Sequence, residues 1–269
     1  MTRSHGAPAA AHASSSRFAT GIRWARDGWD ELRRNPSLWI GMSGLYLVPA
    51  SLLIRLPFAG PLLVVLLTPM LLAGALLAAE RPKRAALPTP LDEWLKRPSE
   101  ELTRALTDPA HVYPAVLMGI VTLGLVVVVF IVEHLVGIGS WGSLRSAATF
   151  GAAPAVSLLL GMLVAGLLQV LLLMALLYAV HRAMFGGRDP LTALGESFNA
   201  CVRHGWAVTA LIGAYALPYI VIAAGFSVSA ILGYLLLYTV GLVFLPAFVL
   251  ASYGSYRQIF PSPSARASS

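Results

Sequence analysis

Six stretches of this 269-residue chain run for 18 to 27 residues without a single Asp, Glu, Lys or Arg, and nothing else in the sequence restricts the fold so severely. They are Ser37–Ile54, Phe58–Ala79, Val112–Val132, Pro154–Val180, Trp206–Phe226 and Ala230–Leu250. About 20 apolar residues in helical conformation cross the hydrocarbon core of a bilayer. No water reaches the backbone there, so a spanning segment must pair its own N–H and C=O groups as a helix or join a closed barrel. Barrel strands alternate polar and apolar residues, whereas Leu123–Val132 and Leu171–Val180 are apolar throughout. The segments therefore predict an all-α, polytopic membrane bundle of six transmembrane helices. Composition agrees: 57% of residues are hydrophobic and 12% charged, against about 25% charged in soluble domains. One soluble core could not hide that much apolar surface.

Tryptophan and basic residues orient the spans. Trp24, Trp29, Trp39, Trp94, Trp141 and Trp206 lie outside the spans or in their first turns, where an indole keeps its ring buried and its N–H wet. Seventeen of the nineteen Lys and Arg residues fall on one side of the predicted membrane, and only Arg55 and Arg145 on the other. Basic loops stay on the cytoplasmic side, so both termini are expected in the cytoplasm, beneath a bacterial inner membrane. The net charge of +7 then reads as contact with anionic headgroups, and no nucleic-acid partner is expected. Residues 1–16 lack the apolar stretch of a signal peptide. They read as a disordered cytoplasmic tail, as do residues 261–269, on either side of a transmembrane domain over 17–260.

Short outer connections make the spans three helical hairpins, and each is preceded by a segment with one apolar face. Phe18, Ile22, Ala25, Trp29 and Leu32 recur at helical spacing before the first span, and Asn35–Pro36 ends that helix because proline disfavours helix in the residue before it. A second segment starts at Thr89–Pro90, breaks at Pro98, carries Leu102, Ala105 and Leu106 on one stripe, and stops at Asp108–Pro109. A third opens with Asp189 as cap and Pro190 as first helical residue, with Leu191, Leu194, Phe198, Cys201 and Val202 on one face. Basic amphipathic helices of this kind lie in the membrane interface; the alternative is that they cap the hairpin ends. The layout is thus three cytoplasmic interfacial helices, each leading into a hairpin. Within the spans, Pro49, Pro69, Pro218 and Pro246 each remove one backbone hydrogen bond and predict kinks. The small pairs Gly74/Ala78, Gly161/Ala165 and Ala210/Ala214 predict close helix approach.

Charged and polar groups inside a membrane are the best pointers to function, and few are present. Glu133 and His134 close the third span, Arg55 the first, and Gln169 falls within the fourth. These four are the candidate polar residues of a cavity, if they meet. Arg23, Arg26, Trp29, Arg182 and Arg188 are candidate contacts to lipid headgroups or a protein partner. Gly186–Gly187 lacks the spacing of a phosphate-binding loop, and Asp189 already fills the cap. The six histidines are scattered, no serine sits in a nucleophile elbow, and the one cysteine, Cys201, falls on an apolar stripe. No catalytic, cofactor-binding or metal residues are assigned, and no enzyme is expected.

Three patches carry a family resemblance: Trp24, Gly28, Trp29, Pro36 and Trp39; then Pro190, Ala193, Ser197, Phe198, Ala200, Cys201 and Arg203; then Pro246, Tyr253, Ser255, Tyr256, Arg257, Ile259 and Phe260. Together with Thr68–Pro69 and Gly74, they make the chain resemble an uncharacterised family of proteobacterial inner-membrane proteins, the BPSS-type. His204 stands where that pattern has asparagine, and Leu91–Asp108 is less similar. The family looks distantly like the membrane regions attached to some glycerophosphodiesterases. The resemblance implies the topology and a lipid context, and carries no catalytic residues. The expectation is a non-enzymatic membrane-complex or envelope-associated component contacting anionic lipids, with membrane-protein partners or a second copy as possible associates. The alternative is a small-solute or lipid transporter with a cavity between kinked helices.

Overall fold

The computed structural model describes residues 7–80, 93–135 and 152–261, and every regular element in them is an α-helix. In chain order these are α1 (Ala7–Arg34), α2 (Pro36–Leu53), α3 (Ala59–Glu80), α4 (Glu93–Thr107), α5 (Pro109–Leu135), α6 (Ala152–Leu176), α7 (Ala179–Phe185), α8 (Pro190–Arg203), α9 (Gly205–Val228) and α10 (Ala230–Ile259). Six stretches are long and apolar enough to cross a membrane: Pro36–Leu53, Ala59–Glu80, Pro109–Leu135, Leu163–Phe185, Gly205–Val228 and Ala230–Ile259. Only 22 to 39% of each is buried inside the protein, so most of the apolar surface faces outward, which only a lipid environment accommodates. The chain is a multi-pass membrane protein built as a helical bundle.

The six spans fall on the stretches the sequence marks, the fourth of them, expected over Pro154–Val180, being carried by α6 and α7. The Gln169 side-chain amide donates to Glu133 Oε1 at 2.9 Å. That bond ties Gln169 of α6 to the last turns of α5.

Local chemistry sets most boundaries. Asn35 leaves the helical region, at φ −146 and ψ 68, and Pro36 begins α2. Asp108 accepts from the Ala110 N–H at 3.0 Å, starting α5, and Asp189 accepts from the Thr192 N–H at 3.0 Å, starting α8. These N–H groups hold both carboxyls below the usual carboxylate range. Two expectations need correction. First, α1 begins at Ala7, so residues 7–16 continue the helix into the expected tail; Ala7, Ala9, Ala10, Ala11 and Ala13 are strong helix formers. Second, α4 runs through Pro98, which is buried; a proline five residues into a helix forfeits a single bond. Thr89–Pro90 and residues 262–269 lie outside the described residues.

Chain neighbours are not always the main packing partners. The last hairpin, α9–α10, is tight, but α1 lies along it, α2 rests on α10, and α3 rests on α5. Helix α4 packs on α2 and α3, while α8 packs on α6 and α7. All three amphipathic helices therefore gather where the odd-numbered spans begin and the even-numbered ones finish, called the basic end below.

Their buried faces are rotated from the expected stripes. On α1 the buried residues are Gly21, Trp24, Gly28 and Leu32, while Phe18 and Ile22 are exposed. On α8 they are Ala193, Leu194, Ser197, Ala200 and Cys201, while Leu191 and Val202 are exposed. The reason is close approach. A side chain at Gly21 would fall on the Ala207 carbonyl, and one at Gly28 would lie 2.6 Å from the Ala251 backbone nitrogen. Small residues admit the neighbouring backbone and turn the larger ones outward. Two indoles are also drawn inward. Trp24, 3% exposed, donates to Gln258 Oε1 at 2.7 Å, and Trp39 is equally buried. Trp94 and Trp141 have no described side chains.

Gly21→Val should destabilise the detergent-solubilised protein by about 1–3 kcal/mol through overpacking, read as a lowered unfolding midpoint. Gly195→Ala is the control. Gly195 is exposed within α8 and has open space around it, so alanine there should be neutral or stabilising by up to about 1 kcal/mol.

Candidate functional site

Three features meet at the basic end: a break in the fourth span, a buried histidine just beyond it, and an apolar cavity. The fourth span stops being helical at Leu177–Tyr178 and restarts as α7. A regular helix would bond the Tyr178 N–H to the Met174 carbonyl. Here the Ser197 hydroxyl of α8 stands between them: it accepts from the Tyr178 N–H at 3.0 Å and donates to the Met174 carbonyl at 2.9 Å. Cys201, one turn along α8, donates to the same carbonyl at 3.4 Å. An inserted side chain of this kind opens a helix without orphaning its backbone. The Tyr178 ring is fully buried, and its hydroxyl pairs with Ser255 of α10 at 3.0 Å.

Helix α7 then places His181 at 1% exposure. Its ring lies 5.1 Å from Tyr256 and 6.3 Å from Tyr253, nearly parallel to the latter. Neither ring nitrogen has a hydrogen-bond partner among the described residues. The next residue, Arg182, pairs with Glu196 of α8 and lies 4.7 Å over the Phe260 ring. Arg188 reaches the other oxygen of Glu196 at 3.2 Å. Between them Gly187 takes φ +58, a left-handed turn that glycine adopts without strain.

His181 borders a partly open cavity of about 270 Å³ lined by α2, α3, α4, α6, α7, α9 and α10. Its wall is mostly Leu, Met, Ala, Val, Phe and Pro, with Trp39 and Leu102 on the basic side. Its other polar atoms belong to Ser43, Tyr46, Thr68, Tyr219 and Ser252. Tyr46 and Thr68 pair with each other at 3.2 Å, and Thr68 also donates to the Val64 carbonyl at 2.7 Å. Pro246 lies in the wall, and among the described residues no Asp, Glu, Lys or Arg lines the space.

None of the four residues expected in a cavity borders this one. Glu133 and Gln169 do meet, but on the outside of the bundle, where Gln169 is exposed. Arg55 instead lies 5.1 Å over the Tyr234 ring, and the His134 ring sits 4.3 Å from Phe130. Of the expected headgroup contacts, Arg23 and Arg26 are exposed. Trp29 rests 5.4 Å from Phe244 with the Arg33 guanidinium over its ring. Arg182 and Arg188 share Glu196. Ser197 carried a weak sequence signal, as the one hydroxyl among small residues on the α8 face; His181, at the end of an apolar run, carried none beyond its type. Among the described residues no group of three His, Cys, Asp or Glu side chains could hold a metal ion.

Comparison with family models, curated proteins and solved structures returns no match.

Burial pushes the Cys201 thiol up to about 12, so at pH 8 the folded protein should resist a thiol reagent until denatured. Ser197→Ala leaves the Tyr178 N–H without its partner and the Met174 carbonyl with the Cys201 thiol alone. It should destabilise the protein by about 1–3 kcal/mol and speed Cys201 labelling, both measurable in one detergent preparation.

Proposed function

We propose that this membrane protein handles a small, largely apolar molecule within the bilayer, in the manner of a lipid or small-solute permease. The observation that supports it is the cavity of about 270 Å³ beside a broken span. Broken helices at membrane depth are tolerated where the freed backbone is buried in protein or lines a cavity, and transporters build binding sites from them. An apolar cavity of about 150 Å³ is enough to hold benzene, so this one has room for roughly ten or eleven non-hydrogen atoms by the same ratio. Naphthalene is a suitable probe. It should bind the wild-type protein in nanodiscs saturably, above simple partitioning into lipid. Ala75→Phe, which places a ring inside the space, should abolish that binding. Equal binding by both proteins would remove the cavity from any role in function.

A second reading is favoured by one strip of surface. Phe18 and Ile22 are exposed on α1 beside exposed Arg23 and Arg26, which suits an anionic, cytoplasmic lipid surface. In that setting the basic end faces the cytoplasm of a bacterial inner membrane and the protein acts as a non-enzymatic membrane-complex component. Arg23→Glu combined with Arg26→Glu should reduce the anionic lipid retained through purification, measured by lipid mass spectrometry. Unchanged retention would count against this docking face. Arg182 is left out of the test because its charge is already paired with Glu196.

A further inference from the structure

We infer that His181 is the polar anchor of the cavity, and that the natural ligand is an uncharged molecule with an apolar body and one hydroxyl or carbonyl group. The inference rests on the cavity being a ligand site and adds the chemistry of what enters it.

A buried imidazole with both nitrogens unpaired is costly, because buried polar groups in proteins nearly always find partners. His181 is 1% exposed, borders the cavity, and has no partner for either nitrogen among the described residues. Three of the five other polar residues of the wall are engaged elsewhere, as is the Tyr178 hydroxyl. Tyr46 and Thr68 bond each other, Ser252 donates to the Val249 carbonyl at 2.8 Å, and the Tyr178 hydroxyl faces Ser255. Tyr253 and Tyr256 meet the imidazole as rings. An incoming group is therefore the partner we assign to His181, reached when the ring turns its buried nitrogens toward the cavity it borders. In neutral imidazole one nitrogen donates and the other accepts, so a hydroxyl or a carbonyl can be bound. Among the described residues no ionised side chain lines the wall, which favours an uncharged ligand over one that would enter without a counter-charge. The break at Tyr178 serves the same site. It starts a fresh helix whose first turn carries His181, and α8 holds that break through Ser197.

The test compares 2-naphthol with naphthalene, two fluorescent probes that differ by one hydroxyl, on full-length protein in nanodiscs, with lipid partitioning subtracted. Wild type should bind 2-naphthol about three- to tenfold more tightly, the contribution expected of one hydrogen bond. His181→Leu should keep naphthalene binding and lose the preference. His181→Gln, which keeps a donor and an acceptor, should restore part of it. Equal affinity of wild type for both probes would overturn the anchor while leaving the cavity a ligand site, and would be the outcome if water satisfies the ring. Retention of the preference by His181→Leu would also overturn it. Failure of naphthalene itself to bind would instead overturn the cavity as a site, and the anchor with it. Should His181→Leu not fold, the wild-type pair and His181→Gln still decide the matter.

Discussion

Inside an apolar bundle a backbone amide that leaves its ladder must be given another partner, and here that partner is the Ser197 hydroxyl. By accepting from Tyr178 and donating to Met174 it keeps both groups paired while opening the fourth span. Several other arrangements depend on that opening. It permits α7 to start afresh, and α7 carries both His181 and Arg182. It also locks α8 against the bundle, since Ser197 and Cys201 lie on one face of that helix and reach the same carbonyl.

The amphipathic helices obey a related rule. Their apolar faces look like membrane-surface faces, yet α1 and α8 bury theirs on protein. Glycine and alanine decide this. Gly21 and Gly28 let α1 settle on Ala207 and Ala251, at distances that any larger side chain would prevent. Helix association in lipid gains little from hydrophobicity and depends on close packing and hydrogen bonds. The Tyr215 hydroxyl donating to the Ala25 carbonyl at 3.1 Å, and Trp24 reaching Gln258, add the polar part of that seam.

Charge is kept to the margins of the molecule, and its pairing separates structural from available groups. Glu196 holds Arg182 and Arg188 together beside the α7–α8 turn, so their charge fixes the turn. Arg23 and Arg26 remain outside on α1. Among the described residues the interior of the bundle holds hydroxyls, indole, the Cys201 thiol and the His181 imidazole, a set suited to neutral chemistry.

The sequence by itself determined the class of fold, because runs without charge can only be helices across lipid. It also determined most helix ends, because Asn35–Pro36, Asp108–Pro109 and Asp189–Pro190 are local signals whose hydrogen bonds lie within a few residues. Only the tertiary structure decided which face of each amphipathic helix is buried, since that depends on distant alanines meeting Gly21 and Gly28. It alone brought Glu133 to Gln169 and parted both from Arg55. It alone made a site of His181: a histidine at the end of an apolar run acquires meaning only when helices remote in sequence enclose it and leave its nitrogens without a partner.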